Sequence, residues 1–291
     1  MLDIVYIPVS ALLWCWHRLF ALPFGPADGL AWLLAVVALL VTVRALLIVP
    51  ALRQARSQAT LRALQPRVER LRAAHRDDPR AQATSIRALH REHGVRLFAG
   101  LLPLLGQALV FLGLFHVLRS FDRTHASALG PFASTSSPLT DEANRATANY
   151  LFGAPEVRAF LDAHLFGAPL SATVSSAGDL LFSVAALAVP LALLAAVATH
   201  LTARLAPVGT DGTAAVMRVL SLWVFPAGAL VSGAIMPVVV LVYFATNAVW
   251  TCAQQYVIRR VLAAEATAAA VAATAAARAS APRPGAKPRR R

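Results

Sequence analysis

The feature that most constrains this chain is an apolar stretch of membrane-spanning length that contains an arginine. Residues 29–50, GLAWLLAVVALLVTVRALLIVP, provide the roughly 20 mostly apolar residues that a transmembrane helix needs. Arg44 lies inside this stretch, where a cation costs about 2.5–3.5 kcal/mol on insertion scales. Such a cation either faces a polar interior of the helix bundle or extends its side chain to the nearer membrane surface. The stretch alone leaves both interpretations open.

The whole chain has the composition of an integral membrane protein with several spans. Hydrophobic residues make up 58% of its 291 residues, and the mean hydropathy is +0.61. Charged residues make up 14%, compared with about 25% in soluble domains. We therefore expect an all-α polytopic membrane protein. Its five predicted spans are residues 28–50, 97–118, 177–202, 216–235 and 237–258.

The segment ahead of the first span, residues 1–27, is rich in aromatic side chains. Trp14, Trp16 and Phe20 cluster before Pro23, and tryptophan favours the headgroup level of a membrane. We therefore predict an amphipathic helix that lies in the membrane interface. A short extra span is the alternative.

Charge is distributed unevenly between the connecting segments, and this predicts the topology. Residues 51–96 contain eleven arginines and four acids, a net charge of +7, whereas residues 122–162 contain five acids and three arginines, a net charge of −2. The positive-inside rule places the basic segment, the 203–215 loop and the 259–291 tail in the cytoplasm. It places the 119–176 loop outside, so the N-terminus is outside and the C-terminus is cytoplasmic.

The basic segment is predicted to be a cytoplasmic hairpin of two helices. Leu61, Leu64, Val68 and Leu71 follow a helical spacing, and the sequence Asp-Asp-Pro at residues 77–79 ends the first helix. The arginines of such a hairpin are expected to form a solvated face close to anionic lipids.

No motif for covalent chemistry is found in the sequence. It contains no Gly-rich phosphate loop, no nucleophile–base pair and no cysteine cluster. We therefore expect a protein that is not an enzyme and that has no catalytic residue, cofactor or metal.

Three local sequences, in this order of elements, resemble the YidC/Oxa/Alb family of membrane protein insertases. They are LQPRVERLRAAHRDDPRAQATSIRALHREHGV at 64–95, LLPLLGQALVFLGLFHVLRSF at 101–121 and YFATNAVWTCAQQYVIRR at 243–260. The resemblance is to the short bacterial form that lacks a large extracytoplasmic domain. It implies a multi-pass protein of the bacterial inner membrane that inserts newly made membrane proteins and acts as their chaperone, alone or with the Sec translocon.

The resemblance also implies a hydrophilic groove, enclosed by five helices, that is open to the cytoplasm and to lipid. Arg44, Gln107, Tyr243 and Phe244 occupy the positions of the family's groove residues. The hairpin and the tail correspond to regions that receive the nascent chain, the ribosome or the signal-recognition machinery.

Further polar residues of the predicted spans are candidates for the groove. They can hydrogen-bond a client if they face it, or they can bond to neighbouring helices or to their own backbone. These residues are Thr42, Ser183, Thr246 and Asn247. Two other functions remain open at this point: a small anion transporter or channel that uses Arg44, and an assembly factor that holds helices together without inserting them.

Overall fold

The computed structural model describes residues 3–94, 101–124, 138–206 and 212–280. It confirms the expected all-α polytopic class, because five of its helices are long and apolar enough to cross a membrane. These are Asp3–Phe24, Gly29–Leu46, Gly178–Leu205, Ala215–Ile235 and Val238–Arg278. The predicted second span contains a shorter apolar helix, Leu105–Arg119. Its predicted beginning at residue 97 lies outside the described residues.

The elements follow one another with short connections. They are α1 (Asp3–Phe24), α2 (Gly29–Leu46), α3 (Ile48–Ala74), α4 (Pro79–Glu92), α5 (Leu101–Arg119), α6 (Asp141–Ala146), α7 (Ala154–Leu161), β1 (His164–Leu165), β2 (Ala168–Pro169), α8 (Leu181–Leu205), α9 (Gly212–Val219), α10 (Phe225–Ile235) and α11 (Val238–Ser280). A π-helical turn, Leu220–Val224, joins α9 to α10.

One end of the bundle is closed by residues 138–180, which we call the cap. It contains α6, α7 and an antiparallel pair in which His164 faces Pro169. The cap also completes the beginning of α11. The amides of Val238 and Val239 have no partner in the preceding helical turn, and they donate to cap carbonyls at 3.0 and 3.1 Å.

An aromatic core fixes the cap to the beginning of α2. The ring of Trp32 lies 5.5 Å from that of Phe121, 5.6 Å from Phe152 and 5.0 Å from Phe160, measured between centroids. All four side chains are buried, and burial of large aromatic side chains is among the strongest contributions to a core. The sequence predicted only a polar loop here.

The cap approaches α2 so closely that the first residue of the helix must be small. A Cβ on Gly29 would lie 2.4 Å from the carbonyl oxygen of His164, so only glycine allows this contact. The helix begins there because the Asp28 carboxylate accepts a hydrogen bond from the amide of Leu30 at 2.7 Å.

The opposite end of the bundle, which we call the hairpin end, carries α3 and α4. Asp78 begins α4 by accepting hydrogen bonds from two of its first amides, and Pro79 follows at a position where no amide donor is required. An ion pair of 2.6 Å between Arg56 and Glu265 joins α3 to α11. Helix α11 continues to Ser280, well past the predicted end of the last span at residue 258.

Helix α1 is long enough to cross a membrane, although we predicted an interfacial helix. Its contacts lie at the cap end along much of its length. The ring of Tyr6 meets that of Tyr150 in the cap at 5.9 Å, and the ring of His17 stacks on Trp32 at 3.7 Å. These contacts favour a helix that lies along the cap end, and the interfacial position stays a prediction.

Candidate functional site

A cluster of polar side chains lies inside the bundle, on the hairpin side of its aromatic core. Arg44 in the last turn of α2 reaches across to α11. Its Nη2 atom donates to the side-chain oxygen of Asn247 and to the hydroxyl of Thr251, the latter at 3.0 Å. Both of these partners are uncharged, so they orient the guanidinium without neutralising its charge.

A third helix joins the cluster through Gln107 of α5. Its Nε2 atom donates to the hydroxyl of Tyr243 at 2.9 Å and to the Asn247 side-chain oxygen at 3.3 Å. Tyr243 is buried. The Asn247 oxygen therefore accepts hydrogen bonds from α2 and from α5, and it ties both helices to α11.

Two atoms of the cluster are buried without a hydrogen-bond partner among the described residues. They are Nε of Arg44, which can only donate, and Oε1 of Gln107, which can only accept. Leaving such a buried group unpaired costs about 1–3 kcal/mol. One free donor and one free acceptor match the acceptor and the donor of a peptide group, so the cluster can bind a polypeptide backbone.

A cavity of about 470 Å³ lies beside the cluster, between α8, α10 and α11. Asn247 and Thr251 are part of its wall, so the residues that orient Arg44 also face the cavity. Most of the lining is apolar and includes Phe244. The remaining polar residues of the lining are Thr199, Thr202 and Ser232.

The structure brings together Arg44, Gln107, Tyr243 and Asn247, four of the eight residues selected from the sequence. Phe244 lies next to them, on the cavity wall, with its ring 5.1 Å from that of Phe111. In this arrangement the polar groups occupy one side of a largely apolar cavity.

The other three selected residues have different surroundings. The hydroxyl of Thr42 donates to the carbonyl of Ala38, and that of Thr246 donates to Val242, each within its own helix. Ser183 lies in the first turn of α8, close to Gly167 of the cap. It is therefore separated from the cluster by much of the length of α8.

Thr251 is a site residue that the sequence analysis missed. It lies four residues after Asn247, and residues at this spacing share one face of a helix. Its hydroxyl accepts from Arg44 while it donates to the Asn247 backbone carbonyl at 2.7 Å. The spacing from Asn247 was the signal that could have identified it.

The bundle, its cap and its intramembrane polar cluster define a multi-pass membrane protein with a polar site inside the membrane. The sequence profile of the family described as "60Kd inner membrane protein" matches residues 24–265, so this chain belongs to that family. The resemblance that the sequence suggested is thereby confirmed.

Curated relatives agree with this assignment. "Membrane protein insertase YidC" of Mycobacterium tuberculosis is 38% identical over 302 residues, which cover 99% of this chain and 81% of the relative. The protein of that name from Mycolicibacterium paratuberculosis is 39% identical over 302 residues and covers 99% and 84%. The one from Streptomyces avermitilis is 27% identical over 272 residues and covers 89% and 58%. The chain is thus similar to bacterial membrane proteins over nearly its whole length.

Proposed function

We propose that this protein is a membrane protein insertase that inserts newly made proteins into the bacterial membrane and helps them to fold. The observation that carries the proposal is the polar cluster of Arg44, Gln107 and Asn247 beside an intramembrane cavity. The names of the relatives, which are membrane protein insertases, support the same function.

The physical task of such a protein is to lower the cost of moving polar groups through hydrocarbon. Each backbone group without a partner costs several kcal/mol in the bilayer core. The free donor of Arg44 and the free acceptor of Gln107 offer partners at this depth. The charge of Arg44 would add an attraction for client carboxylates, stronger than in water because the surroundings are less polar.

The client would leave the site sideways. Once its polar segment has passed, its apolar span gains free energy by burial in lipid, at roughly 25 cal/mol per Å². The wall formed by α10 supports this direction, because side chains such as Phe225 and Val231 are exposed on the bundle surface. In this proposal the cap closes the outer end of the groove.

We assign client contact to the residues of the cluster and to the aromatic side chain next to it. These are Arg44, Gln107, Tyr243, Phe244 and Asn247. Thr42 and Thr246 already bond their own helices, and Ser183 lies near the cap. We therefore give these three a smaller part.

The basic hairpin and the basic tail are proposed to face the cytoplasm and to contact the ribosome, the signal-recognition machinery and anionic lipids. Cooperation with the Sec translocon is part of the same proposal. Truncation after Arg260 should weaken co-sedimentation with ribosomes, and the loss should depend on salt, because arginine–phosphate contacts release counterions. Unchanged binding at low salt would leave the tail as an anchor to the lipid surface.

Insertion of a small purified client into proteoliposomes tests the function itself. An insertase places the client across the bilayer. A small anion transporter or channel that uses Arg44 moves anions without a client, and a non-inserting assembly factor does neither. Failure of insertion together with anion flux would replace the proposal by the second of these functions.

A further inference from the structure

The fourth long apolar segment, Ala215–Ile235, is irregular where it forms the cavity wall. The π-turn interrupts it between α9 and α10, and such turns are rare and often lie at functional sites. Pro226 follows in the first turn of α10. In an α-helix the amide of residue 226 would donate to the carbonyl of Leu222, four residues earlier. Proline has no amide hydrogen, so this donor is missing.

His200 of α8 supplies a donor to that carbonyl. Its Nδ1 atom lies 2.8 Å from the carbonyl oxygen of Leu222, and a carbonyl can only accept, so Nδ1 carries the proton. The ring also lies 5.5 Å from the ring of Trp223. Ionisable side chains inside a membrane are unfavourable unless they are paired, and so are carbonyls without a donor. This one hydrogen bond removes both problems.

The hydrogen bond is one of two points at which α8 holds this span. At the other point, a Cβ on Gly233 would lie 2.6 Å from the Cβ of Ala192, so the two helices touch without space for a side chain. Between the two points lie the residues with which α10 lines the cavity: Phe225, Gly228, Ala229 and Ser232. Fixing both points therefore fixes the position of the wall.

We propose that His200 is a positioning residue for client insertion, which holds the interrupted span against α8 through the Leu222 carbonyl. The role requires a hydrogen-bond donor at the position of Nδ1 and no charge. It is required because Pro226 cannot provide the donor. The effect on insertion rests on the proposed function, whereas the effect on the cavity wall does not.

Two measurements on the full-length protein in proteoliposomes test the proposal. One is insertion of a small client. The other is the labelling rate of the thiol introduced by Ser232→Cys on the cavity wall, with Cys15 and Cys252 replaced by alanine. His200→Ala should lower insertion about fivefold, the size expected for one interhelical hydrogen bond, and should raise the labelling rate by a similar factor. His200→Asn keeps a donor and should stay within twofold of the parent.

Pro226→Ala provides the control that a merely structural histidine would not satisfy. It restores an amide at residue 226, so His200→Ala in this background should cost less than twofold. The same fivefold loss in both backgrounds would overturn the proposal. Equal results for His200→Ala and the parent, or an equal loss for His200→Asn and His200→Ala, would do so as well.

Two further outcomes separate this proposal from the proposed function. If the parent inserts no client but labelling follows the expected pattern, the proposed function fails and the positioning of α10 stands. If His200→Ala does not accumulate as folded protein, its recovery by Pro226→Ala supports the proposal, and lack of recovery contradicts it.

Discussion

The two ends of helix α2 are built in opposite ways. Near the cap, Trp32, Val36 and Leu39 are completely buried, and the aromatic core surrounds the tryptophan ring. Near the hairpin end, Arg44 has uncharged partners and a buried nitrogen without one, and Leu46 is 75% exposed. One helix therefore carries both a packed closure and a polar site.

The difference shows how a bundle can hold a polar site without losing its fold. A close-packed interior tolerates few changes in volume, and the cap end provides this part of the stability. The hairpin end is then free to keep polar groups whose hydrogen bonds are incomplete, which is unfavourable for folding and favourable for binding. The predictions below test whether stability and activity divide along this line.

The comparison requires that the two ends lie on opposite sides of the membrane. In a variant with Cys15 and Cys252 replaced by alanine, the thiol introduced by Asp78→Cys should be labelled only from the cytoplasmic side. The thiol introduced by Ser175→Cys in the cap should be labelled only from outside. The expected effect is all-or-none with a membrane-impermeant maleimide, and the opposite pattern would contradict the five-span topology.

Removal of the central aromatic side chain should have the largest effect on stability. Trp32→Ala should lower the free energy of unfolding by about 3–5 kcal/mol, as large-to-alanine changes in cores do. Unfolding in a denaturing detergent, followed by circular dichroism, measures this loss. Trp14→Ala is the matched control, because Trp14 is only partly buried and stacks with Arg18. Equal losses for both variants would remove the special status of the cap end.

Arg44→Ala should affect activity more than stability. We expect about a tenfold loss of insertion for a client with an acidic outer segment, which corresponds to about 1.4 kcal/mol, and a smaller loss for a neutral client. Arg44→Lys should keep much of the activity, because it keeps the charge, although lysine lacks the planar fork. Arg53→Ala, at an exposed arginine of α3, is the control. Equal insertion of acidic clients by Arg44→Ala and the parent would favour an arginine that merely reaches for the membrane surface.

The smallest effect is expected at the surface of the cap. Arg145 forms ion pairs with Asp141 and Asp162 at 3.0 and 2.8 Å, and all three side chains are well exposed. Exposed pairs of this kind contribute less than about 1 kcal/mol. Arg145→Ala should therefore change the unfolding free energy by less than this amount and leave insertion unchanged. A larger loss would show that the cap depends on its charges as well as on its aromatic core.

Hydrophobic length and charge asymmetry were enough to predict the fold class, because these properties decide which segments can cross a membrane. The core of the cap could not be predicted in this way. Phe121, Phe152 and Phe160 are far apart in sequence, and only the folded chain brings them to Trp32. The continuous helix α11 was also missed beyond residue 258, where the sequence changes from apolar to alanine-rich while its helix propensity stays high.

The candidate site was predictable where polarity coincides with depth in the membrane. Arg44, Gln107 and Asn247 are polar residues in the middle or inner parts of predicted spans, and the structure joins them. Ser183 is equally polar, but its position at the end of α8 places it by the cap. The role of His200 was not predictable, since it depends on a carbonyl of another helix that a proline leaves without its usual donor.

The length of α11 has a mechanical consequence. Its 43 residues span about 64 Å at the usual rise of an α-helix, whereas a bilayer with its headgroups is about 40–45 Å thick. One rigid rod therefore begins at the cap, carries Tyr243, Asn247 and Thr251 at fixed heights, and extends roughly 20 Å beyond the opposite membrane surface. A body that holds its far end is kept at a set distance from the polar site. The rod thus measures how much unfolded chain is needed to connect the two.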